Sequence, residues 1–307
     1  MKKIVLLIVS ILSMSHWMNA QDEAIYSQYI FHPILINPAY SGFKENSELL
    51  FNYKNMHSSF PGSPKTYTAS FNGPIASKLG FGGLIFNDVV GDLSKFKAQG
   101  ALAYKFDLGS VKLNAGISAQ FHKIQLANGA ILDPQIVIND PLLRAAADGL
   151  SYFNTSLGIY GEQNGRFKFG VSVVDLVRTR VDAIQTPTDN SSTFFKYFNA
   201  FVGYQFNVPN YNFTVEPSIL IKRLRNVPFE TDLNIKMSFL EDQLFGGVTY
   251  SLGGYSKTAF LLGARINKFR IFYSYDIALE DFQKYNNGSH ELSISFEIPS
   301  GVRSSAK

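Results

Sequence analysis

The feature that most limits the fold of this chain is a two-residue alternation of side chains between Lys95 and His122. From Phe96 onward every second residue is apolar or small, and the residues between them are mostly polar. The alternation is interrupted by a tight turn at 107–110 and then resumes. A period of two places the two kinds of side chain on opposite faces of a strand. Two long strands joined by a short turn predict a membrane-spanning β-hairpin, which needs about 9–11 residues per tilted strand.

The same alternation recurs along most of the remaining chain and predicts fourteen strands. In one of the most regular segments, 211–222, Phe213 and Ile219 share a face opposite Thr214 and Ser218. The predicted strands are 47–56, 64–73, 79–87, 95–107, 110–122, 151–162, 165–174, 196–208, 211–222, 230–240, 243–252, 257–267, 268–278 and 288–298.

The connections between these strands mostly alternate between longer loops and tight turns. The longest loops are Lys123–Leu150 and Asp175–Phe195, and Asp88–Ser94 is predicted as a further outer loop. Outer-membrane barrels carry long loops outside the cell and short turns in the periplasm. The sequence therefore predicts an all-β, transmembrane outer-membrane β-barrel of a Gram-negative bacterium. An even number of strands places both termini in the periplasm.

The first twenty residues have the pattern of a secretory signal peptide, with Lys2 and Lys3 before a short apolar run and Ala20 at a plausible cleavage site. No later apolar run reaches the length of a membrane-spanning helix. The chain has no cysteine, which excludes disulfides and cysteine-based metal sites. Its 28 basic and 24 acidic residues are nearly balanced, so the charge gives no reason to expect a nucleic-acid partner.

Residues 21–46 form a lead segment that does not alternate. Pro33 and Pro38 exclude a central strand, and the content of Tyr and Ile is too high for a disordered tail. A fourteen-stranded lumen is wider than that of a side-chain-filled eight-stranded barrel, so either the lead or the two long loops are expected to plug it. The predicted divisions are a signal peptide at 1–20, the lead or plug at 21–46, the barrel at 47–298 and a tail at 299–307. The side chains expected to face the lumen include Lys97, Lys112, Lys168, Glu216, Lys236 and Glu291.

The lead holds a dense cluster of aromatic, amide and proline side chains, which are Tyr26, Gln28, Tyr29, Asn37, Pro38 and Tyr40. Prolines restrict the backbone, and tyrosines are rigid anchors in protein interfaces. Two hypotheses stay open for this cluster. It either fills the lumen as a plug or docks partner proteins beside the periplasmic mouth.

Several motifs resemble the PorP/SprF family of outer-membrane components of the type IX secretion system in Bacteroidota. The clearest lie in the lead, and others follow in the first strands. They are Tyr26-Ser27-Gln28-Tyr29, Asn37-Pro38-Ala39-Tyr40-Ser41-Gly42, Phe60-Pro61-Gly62-Ser63-Pro64-Lys65-Thr66, Phe71-Asn72-Gly73-Pro74 and Gly82-Gly83-Leu84-Ile85-Phe86-Asn87-Asp88. The chain departs from the family at Tyr53–Met56, where members often have Arg-Asn-Gln-Trp.

The resemblance implies a non-enzymatic barrel that supports secretion or surface anchoring of specific cargo, such as large adhesins used in gliding motility. The implied partners are outer-membrane lipids, the type IX translocon, periplasmic ring or peptidoglycan-linked components, and the secreted cargo protein. No cofactor is implied.

Two other functions remain open as alternatives. A barrel of this size with an N-terminal plug also suits an outer-membrane transporter for hydrophobic nutrients, of the long-chain fatty acid channel type. An enzyme would need a catalytic group on the outer loops, where His57 with Asp88 or Asp92 is the grouping that the predicted topology permits. The sequence shows no phosphate-binding glycine loop, HExxH motif or metal-spaced cluster.

Overall fold

The computed structural model describes residues 26–127, 147, 149–181, 196–208, 212–225, 227–254, 256–279 and 281–302. Within these residues the chain forms fourteen antiparallel strands, one of which is interrupted. In chain order, β1 to β7 are Ser47–Asn55, Lys65–Ala76, Leu79–Val90, Leu93–Leu108, Val111–Leu126, Leu150–Gln163 and Phe167–Arg180. Strand β8 has two segments, Phe198–Tyr204 and Phe206–Val208. Strands β9 to β14 are Phe213–Arg223, Glu230–Phe239, Leu244–Gly253, Lys257–Ile266, Phe269–Ala278 and Ser289–Ile298.

The sheet closes on itself because β1 pairs with β2 on one side and with β14 on the other. Both segments of β8 pair with β9, so they act as one strand of the barrel. Among the described residues closure gives every strand a neighbour on each side, as a barrel in a membrane requires. The predicted fold class, an outer-membrane type β-barrel of fourteen antiparallel strands, is confirmed.

The alternation assigns the two faces correctly. Ile117 is 53% exposed on the outer face, whereas the adjacent Ser118 is 1% exposed in the lumen. The same holds for Ile219 and Ser218. Most of the exposed large apolar residues lie on the outer face of the strands, and most of the buried polar residues lie on the inner face, which is the reverse of a soluble protein.

Some strands continue beyond their predicted ends. The connection predicted at 88–94 is reduced to Gly91 and Asp92, because β3 and β4 pair as far as Val90 and Leu93. Gly91 has φ +56, which suits a tight turn. Strand β7 likewise continues to Arg180, past a register shift in its pairing with β6 between Thr155 and Leu157. Polar residues break the hydrophobic alternation near the membrane surface but do not prevent backbone pairing, so the period alone places these ends too early.

The described part of the lead contains three short 3-10 helices, Gln28–Ile30, Pro33–Leu35 and Pro38–Tyr40. A fourth, Asp281–Tyr285, lies between β13 and β14. None of the helices in the described ranges is long and apolar enough to cross a membrane. The predicted signal peptide and most of the two longest loops lie outside the described residues.

Candidate functional site: the lead inside the barrel

The lead runs through the lumen from one end of the barrel toward the other. The short-turn end carries the connections 77–78, 109–110 and 164–166, and the loop end carries 56–64 and 279–288. Strand β1 begins at the short-turn end, where the backbone N–H of Gly42 donates to Asn72. Ser27 lies near the loop end, because its partners Lys54 and Asp276 stand near the last residues of β1 and β13.

Ser27 is the centre of a buried ionic network. Its backbone N–H donates to Glu291 Oε2 at 2.8 Å, and its hydroxyl donates to Asp276 Oδ2 at 2.6 Å. The ammonium groups of Lys54 and Lys257 lie 2.9 and 2.7 Å from the Ser27 hydroxyl oxygen. The same lysines pair with Asp276 at 3.0 and 2.8 Å. All four charged side chains are at most 2% exposed, so the two positive and two negative charges balance inside the lumen.

The next two residues of the lead extend this contact around the barrel wall. The Gln28 amide donates to the backbone oxygen of Glu291 at 2.8 Å. The Tyr29 hydroxyl donates to Asp232 at 2.9 Å, and Lys222 pairs with the same carboxylate at 3.0 Å. Burial, followed by the nearby Asp232 charge, raises the pKa of the Tyr29 phenol, so the group stays protonated and keeps its role as a donor. We name the lumen face of β1 and β9–β14 the charged wall.

Closer to the short-turn end, aromatic side chains hold the lead against the barrel wall. Phe31 stacks on Phe272 with ring centroids 4.4 Å apart, and Phe245 lies 5.4 Å from Phe272. The His32 ring packs edge-on against Phe272 and lies 3.4 Å from a carboxylate oxygen of Glu48. His32 is fully buried. The lead therefore contributes to a hydrophobic core that lies inside the barrel rather than between sheets.

The second half of the lead, residues 37–42, lies against glycines. The Asn37 Oδ1 accepts from the Ala39 N–H and caps the third 3-10 helix, while its Nδ2 donates to the Ile159 oxygen at 3.0 Å. A Cβ at Gly116 would lie 2.6 Å from the Ala39 Cα, and one at Gly158 would overlap the Asn37 Oδ1. Backbone meets backbone at this contact, and glycine is the residue that allows such an approach. We name the lumen face of β3–β7 the glycine wall.

All six residues of the predicted cluster lie inside the barrel. Gln28 and Tyr29 contact the charged wall, and Tyr26 donates to or accepts from Thr68 of β2 at 2.8 Å. Asn37, Pro38 and Tyr40 lie on the glycine-wall side, where Tyr40 packs edge-on against Tyr160. All six are buried. Tyr26 and Gln28 stand in the half of the lumen farther from the start of β1.

Sequence reasoning missed the partners that hold the lead in place. Ser27 and His32 are absent from the predicted cluster, and Lys54 lies in the stretch Tyr53–Met56 where the chain departs from the family pattern. The six side chains predicted to face the lumen do so: Lys97, Lys112, Lys168, Glu216, Lys236 and Glu291 line its cavities or its buried networks. The sequence signal that could have identified the partners of the lead was a lysine or carboxylate on the inner face of a predicted strand.

Two cavities lie on either side of the lead. The cavity at the short-turn end has a volume of about 520 Å³, whereas the one on the other side holds about 50 Å³. Tyr29, Ile36 and Asn37 line both of them, so this part of the lead forms the partition.

The catalytic grouping weighed from the sequence falls on the loop end. Asp88 is a buried residue of β3 and accepts from the Thr66 hydroxyl at 2.8 Å. His57 lies in the connection between β1 and β2 with φ 52, and burial lowers the pKa of its imidazole.

A family profile described as "Type IX secretion system membrane protein PorP/SprF" matches residues 18–296. The chain belongs to the PorP/SprF family. Members of this family are membrane components of a secretion system, which together with the barrel fold supports an outer-membrane location. No curated protein matches this chain.

Solved structures similar to this PorP/SprF barrel are outer-membrane proteins. The Acinetobacter baumannii protein Omp33 is 8% identical with a TM-score of 0.47, covering 85% of this chain and 100% of that one. The Ralstonia pickettii toluene transporter TbuX is 10% identical with a TM-score of 0.48, covering 86% and 92%. The Pseudomonas putida toluene transporter TodX is 11% identical with a TM-score of 0.47, covering 92% and 96%. At these identities the likeness concerns the fold alone.

Proposed function

We propose that this PorP/SprF-family barrel is a non-enzymatic, plugged component of the type IX secretion system that supports secretion or surface anchoring of specific cargo. The observation that carries the proposal is the fixed seat of the lead. Hydrogen bonds to buried charged groups and close packing against glycines hold this segment across the lumen, which suits a rigid scaffold better than an open conduit. The division into lead, barrel and tail, and the periplasmic position of both ends of the barrel, belong to this proposal. The proposal also includes the partners, which are the translocon, the periplasmic ring and adhesin cargo used in gliding.

The placement of the lead changes which residues are expected to touch partners. Tyr26, Gln28, Tyr29, Asn37, Pro38 and Tyr40 are buried, so a docking role for the lead acts through the shape that it gives the barrel mouth. Lys44, Glu45 and Asn46 are the exposed residues of the lead at the short-turn end. They are the side chains that a periplasmic partner would meet first.

The experiment locks the lead to the glycine wall. A Cβ at Gly82 would lie 3.4 Å from the Ser41 Cβ, close to the spacing of a disulfide, and the chain has no native cysteine to interfere. A strain lacking the protein is complemented with the S41C/G82C variant, and surface proteins are compared under oxidising and reducing conditions. The S41C and G82C single variants are the controls. A scaffold restores the missing surface proteins in both states.

The runner-up function, a channel for hydrophobic nutrients, predicts a different result. The observation that favours it is the aromatic lining of the larger cavity, formed by Phe31, Phe201, Phe245 and Phe272. Such a channel requires the lead to move, so the oxidised variant would lose uptake of a hydrophobic tracer and the reduced variant would regain it. An unchanged surface proteome in the deletion strain, together with redox-dependent uptake, would replace the secretion proposal by this one.

A further inference from the structure

The larger cavity has the dimensions of a small-molecule site. Its volume of about 520 Å³ falls within the roughly 300–1,000 Å³ typical of ligand pockets. The exposed residues Glu45, Asn46 and Asp242 stand at its mouth, at the short-turn end of the barrel. The lead closes its inner side with Phe31, Ile36 and other residues.

One side of this cavity is aromatic. Phe245 is half-buried, and its ring centroid lies 5.9 Å from that of Phe31 and 5.4 Å from that of Phe272. Phe201 is also half-buried and packs against the same cluster. Phe245 and Phe201 therefore present apolar surface that the lead does not cover.

The adjacent side carries more positive than negative charge. Lys168 and Lys236 pair with the same oxygen of Glu216, at 2.6 and 2.8 Å. Their side chains are 16% and 21% exposed, whereas that of Glu216 is 6% exposed, so the two lysine side chains are more accessible from the cavity than the carboxylate that they share. The neighbouring Glu162 stands between Lys112 and Lys168 in the strand register, so this part of the cavity wall carries three lysines and two glutamates.

The aromatic and cationic sides are close together. Lys236 of β10 pairs with Gly247 of β11, and Phe245 is two residues from Gly247 on the same face. Diagonal neighbours of this kind are about 7–8 Å apart. An ammonium pair with one carboxylate, set beside an aromatic surface, recognises an anion that carries a short apolar group.

We propose that this cavity binds a small amphipathic carboxylate. The carboxylate lies between Lys168 and Lys236, and an aromatic or branched aliphatic body rests on Phe245 and Phe201. A long acyl chain does not fit, because the lead closes the cavity behind Phe31. The site does not depend on the secretion role proposed above.

The test uses the full barrel in lipid nanodiscs and isothermal titration with four probes. They are 3-phenylpropionate, an acetylated tripeptide ending in phenylalanine, the amide of that tripeptide, and 3-phenylpropanol. Binding of either carboxylate with at least tenfold preference over its uncharged counterpart supports the site. Binding of the free acid identifies a metabolite-sized ligand, and binding of the peptide acid without the free acid identifies a polypeptide C-terminus as the source.

Two substitutions with opposite expected effects separate binding from structural damage. Lys236→Met removes one of the two cations and is expected to weaken carboxylate binding at least tenfold. Glu216→Gln removes the internal competitor and is expected to tighten it at least threefold. Lys284→Met, at the exposed pair with Asp281 in the β13–β14 connection, is the control and leaves affinity unchanged. Heat-modifiable migration on gels checks that each barrel is folded.

Three results would overturn the proposal. One is the absence of binding by both carboxylates. Another is equal binding of the acids and their uncharged counterparts, which would mean that the cavity reads apolar surface only. The third is weaker binding in Glu216→Gln, which would show that the charged cluster serves to hold the wall and not to receive an anion.

Discussion

The charged wall and the glycine wall hold the same segment in different ways. On the charged wall, Lys54 and Asp276 meet Ser27 through short, charge-assisted contacts. On the glycine wall, Gly116 lies against the backbone of Ala39, and Gly158 leaves room for the side chain of Asn37. The first contact depends on matching every buried charge, and the second depends on shape. The comparison teaches that a lumen plug can be specified by chemistry at one end and by the absence of side chains at the other.

The difference also determines how much stability a substitution in each wall is expected to cost. Removing one member of a buried ionic network leaves another charge without its partner, and that cost is large. Adding a methyl group to a packed glycine forces a local shift, and that cost is smaller because neighbouring atoms can relax. Substitutions in the two walls are therefore expected to rank in a fixed order.

The largest effect is expected for Lys54→Met, which leaves Asp276 and Glu291 with Lys257 as the remaining cation of the network. Breaking a buried pair costs about 3–5 kcal/mol. Urea unfolding of the barrel in lipid vesicles measures the loss. Lys284→Met is the control, because its pair with Asp281 is exposed and contributes little. Equal stability of the two variants would show that the charged wall does not hold the lead.

The second effect is expected for Tyr29→Phe, which removes the hydroxyl that donates to Asp232. Hydrogen bonds to charged groups contribute about 1.5–3 kcal/mol, and the ring packing is kept. Tyr250→Phe on the outer face is the matched control, since that side chain is exposed. The same unfolding measurement compares them, and an equally small change in both would remove Tyr29 from the network.

The third effect tests the glycine wall. Gly116→Ala brings a Cβ to 2.6 Å from the Ala39 Cα and is expected to destabilise the barrel by about 1–3 kcal/mol. Gly100→Ala lies in the same hairpin but meets nothing within 4 Å, so it is expected to be neutral or slightly stabilising. The contrast is measured by unfolding and by protease access to the lead. A harmless Gly116→Ala would mean that residues 37–42 are not held against this wall.

The smallest effect is expected for Asn37→Ala, which removes the cap on Ala39 and the bond to the Ile159 oxygen. Neutral hydrogen bonds contribute about 0.5–1.5 kcal/mol each, and part of this is recovered by water at the cavity. Asn46→Ala is the control, since its bond to Glu297 is exposed. A loss as large as that of Lys54→Met would erase the distinction between the two walls.

Much of the barrel was available from local pattern, because strand faces follow a period of two that needs no long-range information. Phe213 and Ile219 point outward and Ser218 points inward, as the sequence predicts. The ends of strands were harder to predict from the sequence, because β3 and β4 continue to pair beyond the residues that show the hydrophobic alternation.

The seat of the lead was decided by tertiary structure. Ser27 meets Asp276 across 249 positions of the chain, and Tyr29 meets Asp232 across 203. No local period encodes such a pairing, because closure of the barrel determines which inner faces stand opposite the lead. The composition of the lead fits a docking surface and a lumen filler equally well, since both use rigid aromatic and amide side chains. The sequence by itself determined that a barrel forms and which faces its strands turn outward, and the fold alone decided what the enclosed segment touches.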